Sequence, residues 1–479
     1  MTSMTDVAII GSGVIGSATA YELARYKIRV VVLEAENDVA AGTTKANSAI
    51  LHAGYDPEPG TEMARLNVEG VRLAKEICQK LQVPYKQVGS LVLAFSEEEQ
   101  AHLCRLYANG CANGVPGLEL VDAAGAHALE PGLSEKVVGA LYAPSAAIVS
   151  PWEYALAMAQ TAVVNGVQLH RNARVTAIEA VEGGYRLTST QGSFEARCVV
   201  NAAGLAAGAI HAMVAPATFT TKPSRGEYYL LDKSEGSRVG HVIFQCPNKD
   251  GKGVLVSPTV HGNLIVGPNA QAVAGDDTAT TAAGLAYVAE MARKSVPGVE
   301  LRASIRNFAG VRANTDQSDF VLAEAAPGFI DLAGIKSPGL SAAPAIARTA
   351  AALLKKSGLA LEEKEQFIDT REHICFKDLS AQEKQALIER EPAYGRVICR
   401  CETITEGEIL AALRAPIPPV SVDGVKRRCS AGMGRCQGGF CGPRVLEILA
   451  RELHCEPTAV CKDKAGTEIL TGRTKQGGN

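Results

Sequence analysis

Residues 6–16 read DVAIIGSGVIG. Residues 6–10 form an apolar strand, and Gly11, Gly13 and Gly16 follow with the spacing G-x-G-x-x-G. Next come SATAYELARY (17–26), which reads as a helix, and RVVVLEAE (29–36), a second strand. The unit is βαβ. Its first glycine permits the tight turn, its second lets a pyrophosphate approach the backbone, and its third lets helix pack on strand. The helix N-terminus offers N–H donors and the positive end of a dipole to phosphate. Glu34 ends the second strand, about 20 residues on, where an acid can bind a ribose hydroxyl. Dinucleotide binding is the expectation; the plain alternative is a glycine-rich αβ turn that binds nothing.

Outward from this unit, AGTTKANSAILHAG (41–54) is rich in small and hydroxyl residues and suits a loop that wraps a pyrophosphate and brings backbone against a flavin ring. MARLNVEGVRLAKEICQKL (63–81) has apolar residues at helical spacing. SLVLAF (90–95) is strand-like, and 164–189 reads as strand, strand, turn, strand. CVVNAAG (198–204) is a strand closing on a small-residue turn, while PSRGEYYLLD (223–232) and GNLIVGP (262–268) alternate like an antiparallel sheet. FIDLAGIKSPGLSAAPAIARTAAALL (329–354) is a strand, a Gly-Pro turn and a helix, a second helix N-terminus able to face an anion or a polarised ring. The expected fold class is α/β. A discontinuous Rossmann-type nucleotide-binding domain takes 1–85, 146–215 and 305–365. A substrate domain on a mixed or antiparallel sheet takes 86–145 and 216–304. Residues 366–392 read as a linker, 393–461 as a compact helical module and 462–479 as a tail.

The 479 residues, 47% hydrophobic and 21% charged, describe an ordinary globular chain. A net charge of −3 argues against a dedicated nucleic-acid binder. No apolar run reaches the roughly 18–20 residues that span a bilayer. The start MTSMTDVAII lacks a basic n-region and a cleavage site, so a cytoplasmic protein with reduced thiols is expected. Of thirteen cysteines, six are scattered over the first 375 residues and seven crowd between Cys399 and Cys461. A cytosolic crowd of this kind points to a metal or redox site. Five lie in CRCETITEGEI (399–409) and RRCSAGMGRCQGGFC (427–441): Cys399, Cys401, Cys429, Cys436 and Cys441. Thiolates select iron–sulfur clusters or zinc, and a cluster could be structural only. Glycines 432, 434, 438 and 439 leave backbone N–H groups free to approach sulfides and tune a potential. TEGEILAAL and PRVLEILAREL read as two short helices, the first with Thr405 and Glu408 at capping-box spacing.

DVAIIGSGVIG, Glu34 at its strand end, ANSAILHAG, ARVTAIE, VVNAAG and GIKSPGLSAAPAIA together resemble the FAD-dependent D-amino-acid oxidase superfamily, over residues 1 to about 360. SAILHAG, RGEYYLL and VGPNA fit the branch that holds the FAD subunit of anaerobic glycerol-3-phosphate dehydrogenases and the L-2-hydroxyglutarate dehydrogenases. The tail from 396 to about 455 resembles the 2Fe-2S domain of the bacterioferritin-associated ferredoxin type. The resemblance implies FAD held by Gly11, Gly13, Gly16, Glu34, Thr43, Thr44, Ser48, Val175, Gly204, Gly310, Gly339 and Leu340. It implies a cluster held by Cys399, Cys401, Cys436 and Cys441, with Cys429 left out as a position where relatives often carry a small or hydroxyl residue, though it lies close enough in sequence to be an alternative ligand.

Flavin oxidation of an alcohol or amine needs a base for the hydroxyl or amine proton, and a cation that fixes the acidic end of the substrate. The superfamily places its anion-binding arginine where NFAGVRANTDQSD ends a strand, which singles out Arg312; the plain reading pairs it with Asp316 or Asp319. Arg225 is a second clamp or a partner of Glu227. Tyr228 and Tyr229 face opposite sides of one strand, so one of them can point into a site. His52 and His261 are the candidate bases, with covalent flavin attachment an open alternative at His52. Lys336 stands at a turn facing the flavin, where a cation would stabilise reduced anionic flavin. The resemblance implies an FAD dehydrogenase of a small anionic alcohol, glycerol 3-phosphate first and an L-2-hydroxy acid or amino acid after it. It also implies a second flavoprotein or other electron-acceptor subunit, through which the protein could associate peripherally with a membrane. A non-catalytic electron relay is the alternative of another class.

Overall fold

A computed structural model describes residues 4–247 and 253–472. Two compact units emerge, Met1–Ala35 with Val39–Thr370, and Glu36–Asp38 with Arg371–Asn479.

The first unit is built on two large sheets. In one, the strand Thr5–Ile10 lies at the centre, parallel to Val30–Leu33 on one side and to Gly192–Asn201 on the other. Gln168–His170 and Phe329–Ala333 extend the parallel set at its two flanks. Both faces of such a sheet are covered, so its strands are continuously apolar. Val7 and Ile9 pack with Leu23, Leu66, Ile346 and Leu354 on the helical side. Ala8 and Ile10 pack with Ile178, Leu187 and Phe329 on the other, beneath the antiparallel strands Val175–Val181 and Gly184–Ser189. Fold class and cofactor turn therefore follow from one strand. Its neighbours lie on both sides, and the glycine turn leaves its carboxyl end, where open α/β sheets bind ligands.

The second sheet has nine strands, mixed in direction. Ser90–Ala94 runs parallel to Val242–Gln245, and the remaining pairings are antiparallel. Ser304–Arg312, which the sequence reading allots to the nucleotide-binding part, pairs along its length with Ser224–Leu231 in this sheet instead. Alternation alone leaves the choice of sheet open. The pairing is made here by contacts such as the Tyr228–Phe308 ring stack, with centroids 4.7 Å apart.

The second unit is small and helical. Glu406–Leu413, Val422–Cys429 and Gly442–Glu452 enclose a core of Ile409, Val425, Val445 and Leu449. Thr405 and Glu408 form the expected capping box. Val422–Cys429 was not expected as a helix, because VDGVKRRC carries few apolar residues. Its arginines are buried against acids: within this unit the Asp38 carboxylate meets Arg428 at 2.8 Å and Arg427 at 3.0 Å. Burial opposes that carboxylate's charge, and the two guanidiniums outweigh it, holding its pKa at about 2. The expected linker 366–392 is divided: Phe367 packs on the core of the first unit, and the second unit begins at Arg371. Ala381–Arg390 is a helix with its own capping box, and Leu387 packs with Phe376 and Tyr394. Among the described residues no helix is long and apolar enough to cross a membrane.

Candidate active site and cluster site

Gly11 has φ +96°, and a Cβ on it would stand 2.7 Å from the Ala202 carbonyl oxygen. A Cβ on Gly16 would stand 2.0 Å from the Gly11 oxygen. Larger residues would therefore break the turn or lift the helix from the strand. Gly13 caps Val14–Leu23 with no side-chain bond, and the first turn carries no acid. The nearest atom to a Cβ there is Thr44 Oγ, at 3.3 Å, so the space over the helix N-terminus is open to a phosphate. Thr44 Oγ also accepts the Val14 N–H at 3.0 Å. Glu34 accepts the Ser12 N–H at 2.6 Å, which ties the acid to the turn as well as placing it at the strand end. Val175 and Gly204 lie at the start of one strand of this sheet and at the turn after another.

The loop through Thr43, Thr44 and Ser48 is held by the second sheet. Thr43 Oγ donates to the Val311 carbonyl at 2.7 Å. A Cβ on Gly310 would sit 1.9 Å from the Ala46 oxygen, so glycine lets loop and strand touch. Ser48 Oγ lies 3.2 Å from the Tyr228 hydroxyl. Tyr229 points the other way and donates to the Leu285 carbonyl, leaving Tyr228 as the tyrosine on the loop side.

His52 ends this loop and is fixed on several sides. Its N–H donates to Ser341 Oγ at 2.8 Å, its carbonyl accepts from Asn67 at 2.6 Å, and its Nε2 lies 3.2 Å from Ser337 Oγ. Its ring stacks on Phe244 at 5.6 Å. Ser337 and Ser341 are polar neighbours that the sequence reading did not single out. Their place in GIKSPGLSAAP beside Gly339 and Leu340, at the start of the helix Gly339–Lys356, was the available signal. That helix also starts without a side-chain cap.

Arg312 is half-buried at the end of its strand. It donates to the Asn269 carbonyl at 3.2 Å and lies 3.5 Å from Ser224 Oγ. Its suggested acidic partners are engaged elsewhere, Asp319 by the Glu62 and Met63 N–H groups and Asp316 by the Thr220 N–H. Arg225 is different: Asp277 at 2.7 Å and Gln271 at 2.7 Å hold it, and it is buried. A guanidinium already matched to a carboxylate is a poor anion clamp, which favours the structural reading of Arg225, with Asp277 as its partner. The carboxylate of Glu227, its suggested partner, instead accepts from Asn269 and Thr281, and the Glu227 N–H donates to Asn269 Oδ1. Lys336 donates its ammonium to the Gln317 carbonyl at 3.2 Å. His261 stacks on Trp152 and lies 3.7 Å from Glu153.

In the second unit the sulfurs of Cys401 and Cys436 are 3.6 Å apart, and Cys399 is hydrogen-bonded to Cys441. Backbone N–H groups converge on them: Gly432 and Glu402 on Cys399, and Phe440, Gly438 and Gly439 on Cys436. Such donors stabilise charged thiolates and tune a cluster they hold. A Cβ on Gly434 would lie 2.2 Å from the Cys401 Cβ, so glycine is needed where the two cysteine loops meet. Cys429 turns back on its own helix, 3.4 Å from the Val425 carbonyl. The chemistry of four thiols in two facing pairs, with N–H donors around them, fits a two-iron cluster. The open helix N-terminus and the clamped small-residue loop fit FAD.

The family model for FAD dependent oxidoreductases matches residues 6–353, and that for the BFD-like 2Fe-2S binding domain matches residues 397–451. A glycerol 3-phosphate dehydrogenase of Caloramator mitchellensis is 50% identical over 477 residues, 98% of this chain and 99% of the relative. The mitochondrial L-2-hydroxyglutarate dehydrogenase of Homo sapiens is 32% identical over 288 residues, 56% of this chain and 61% of the relative. Among solved structures, dithionite-reduced L-alpha-glycerophosphate oxidase from Mycoplasma pneumoniae with FAD bound superposes with a TM-score of 0.73 at 31% identity, over 77% of this chain and 98% of that one.

Proposed function

Since the chain belongs to the FAD dependent oxidoreductase family and is an enzyme with FAD and a 2Fe-2S cluster as cofactors, we propose that it oxidises the secondary alcohol of glycerol 3-phosphate to the ketone and passes the electrons through the cluster to a separate acceptor. FAD supplies a two-electron acceptor for the hydride, and the cluster supplies one-electron steps. The residues of this chain bind, orient and deprotonate. Arg312 holds the phosphate with a planar fork of donors, a geometry that suits anions bidentately. His52 takes the proton of the reacting hydroxyl at its ring nitrogen, as a neutral imidazole can near neutral pH. Ser337 and Phe244 hold the ring and Ser341 holds the His52 backbone N–H, which limits the reorganisation left for the reaction itself. Thr43, Thr44, Ser48, Gly310, Gly339 and Leu340 line the flavin path with backbone and small side chains, and Cys399, Cys401, Cys436 and Cys441 hold the cluster. The domain division proposed from this reading gives the parallel sheet to FAD and the nine-stranded sheet to substrate.

The observation that carries the reading is Arg312: half-buried beside the flavin loop and, among the described residues, bonded to neutral oxygens and not to a carboxylate. A permanent cation left so is available to an anion. The test is anaerobic bleaching of the bound flavin by a panel of polyol phosphates, 2-hydroxy acids and amino acids. Glycerol 3-phosphate should bleach it at the lowest concentration. Faster bleaching by 2-hydroxyglutarate or by an amino acid would replace the substrate assigned here.

A further inference from the structure

The cluster site is lopsided. Cys399 and Cys441 are 1% and 2% exposed, whereas Cys401 is exposed and Cys436 half-buried. The pair Cys401–Cys436 is therefore the edge through which electrons can leave to another molecule. Three side chains next to that edge in sequence are turned outward: Arg400, Arg435 and Phe440. Arg400 directly precedes Cys401 and Arg435 directly precedes Cys436, and the two sulfurs are 3.6 Å apart. Phe440 donates its N–H to the Cys436 sulfur while its ring is 80% exposed. No other large apolar side chain among the described residues exceeds 52%. An exposed aromatic ring is the kind of anchor that interfaces bury.

The exposed charge of this stretch is mostly basic. Residues 396–451 hold nine Arg and Lys against five Asp and Glu in a chain of net −3; Arg427 and Arg428 are buried against Asp38, and arginines 396, 400, 414, 435, 444 and 451 are exposed. Four of the five acids, Glu402, Glu406, Glu408 and Asp423, are buried. Glu447 is the exposed one, and it is paired with Arg444 at 2.8 Å. Arg400 has no ion-pair partner among the described residues. Resting on the reading above that electrons leave by the cluster, we infer that the Cys401–Cys436 edge, with Phe440 at its centre and Arg400 and Arg435 beside it, is the docking face for a small acidic one-electron carrier protein. The exchange balances without bond or proton changes: one electron leaves the reduced cluster and the carrier takes it up. Complementary charge would speed encounter and fix orientation, and salt would weaken both.

The test uses the full chain loaded with both cofactors, with an acidic 2Fe-2S ferredoxin and a basic c-type cytochrome as probes. Calorimetry gives the affinity of each oxidised probe at low and high ionic strength. Stopped-flow mixing with enzyme reduced by dithionite gives the electron-transfer rate without any substrate, so an error in the substrate assignment leaves the result untouched and shows only in the bleaching panel. Wild type should bind ferredoxin more tightly than cytochrome. Arg400→Glu should weaken ferredoxin binding and slow its reduction about tenfold or more at low salt, with the difference shrinking at high salt. Phe440→Ser should weaken binding at both. Arg72→Glu, an exposed charge reversal in the first unit, should do neither. The visible cluster spectrum checks each variant, and Arg400→Gln replaces Arg400→Glu if the acid disturbs the cluster. Ferredoxin binding unmoved by Arg400 and Phe440 variants with intact clusters would overturn the inference. So would tighter binding of the cytochrome by wild type, or self-association abolished by Phe440→Ser, which would give the face to a second copy of this chain.

Discussion

Arg312 and His211 show how far one side chain's partners decide its role. Arg312→Lys keeps the charge and loses the planar fork, so substrate binding should weaken by about 2–3 kcal/mol, a charge-assisted hydrogen bond's worth, with flavin content unchanged. An unaltered substrate concentration for half-bleaching would remove Arg312 from the site. His211 was passed over in the sequence because nothing local marks it. Its Nδ1 donates to Asp331 at 2.6 Å and its Nε2 to the Pro216 carbonyl at 2.9 Å. A proton on each ring nitrogen suits these two acceptors, which favours the imidazolium form. Burial disfavours that charge, but the Pro216 carbonyl and Asp331 outweigh it and raise the pKa above the ordinary 6.5. A raised pKa stabilises the fold fully below the unfolded value, and the contribution fades as pH rises through the folded one. The melting-temperature gap between wild type and His211→Gln should therefore be widest near pH 6 and shrink toward alkaline pH. A gap that widens with pH would mean the ring is neutral.

At the scale of elements, the glycine turn and the capping boxes are the sharpest local statements in the chain. Gly16→Ala places a methyl 2.0 Å from the Gly11 oxygen, so the helix must shift and the purified variant should carry little flavin. Gly13→Val acts otherwise, intruding on the open phosphate side beside Thr44; it too should yield flavin-poor protein, and full flavin absorbance in it would refute the fingerprint reading. Thr405→Ala removes the reciprocal bonds with Glu408 and should cost the second unit about 1 kcal/mol, read as an earlier denaturation midpoint. These features were legible because their physics is confined to a few consecutive residues. Val422–Cys429 was not, since its stability rests on burying Arg427 and Arg428 against Asp38, almost 400 positions earlier, and periodicity registers no such pairing. The partner of Arg225 is hidden for the same reason: Asp277 lies 52 residues away.

For the whole molecule, the sequence carried the architecture further than the site. The parallel sheet, the mixed sheet and the cysteine-rich helical unit were each legible, because hydrophobic alternation and glycine spacing repeat along the chain. The side to which Ser304–Arg312 belongs, and the seats of Ser337 and Ser341 by His52, depend on tertiary packing. Two compact units with their own cores also mean that the cofactors should be lost independently. Serine at Cys399, Cys401, Cys436 or Cys441 should strip or destabilise the cluster while FAD remains, and Cys429→Ser should keep iron and sulfide near wild type. Iron, sulfide and flavin assays on anaerobically purified variants check this; a wild type with zinc and no sulfide would end the electron-relay reading. The unequal burial of the cysteines has a further consequence for chemical wear. Oxygen, chelators and alkylating reagents reach the Cys401–Cys436 edge first, so the cluster should erode from one side. In partly damaged preparations, mass spectrometry after brief iodoacetamide treatment should find labels on Cys401 and Cys436 well before Cys399 and Cys441.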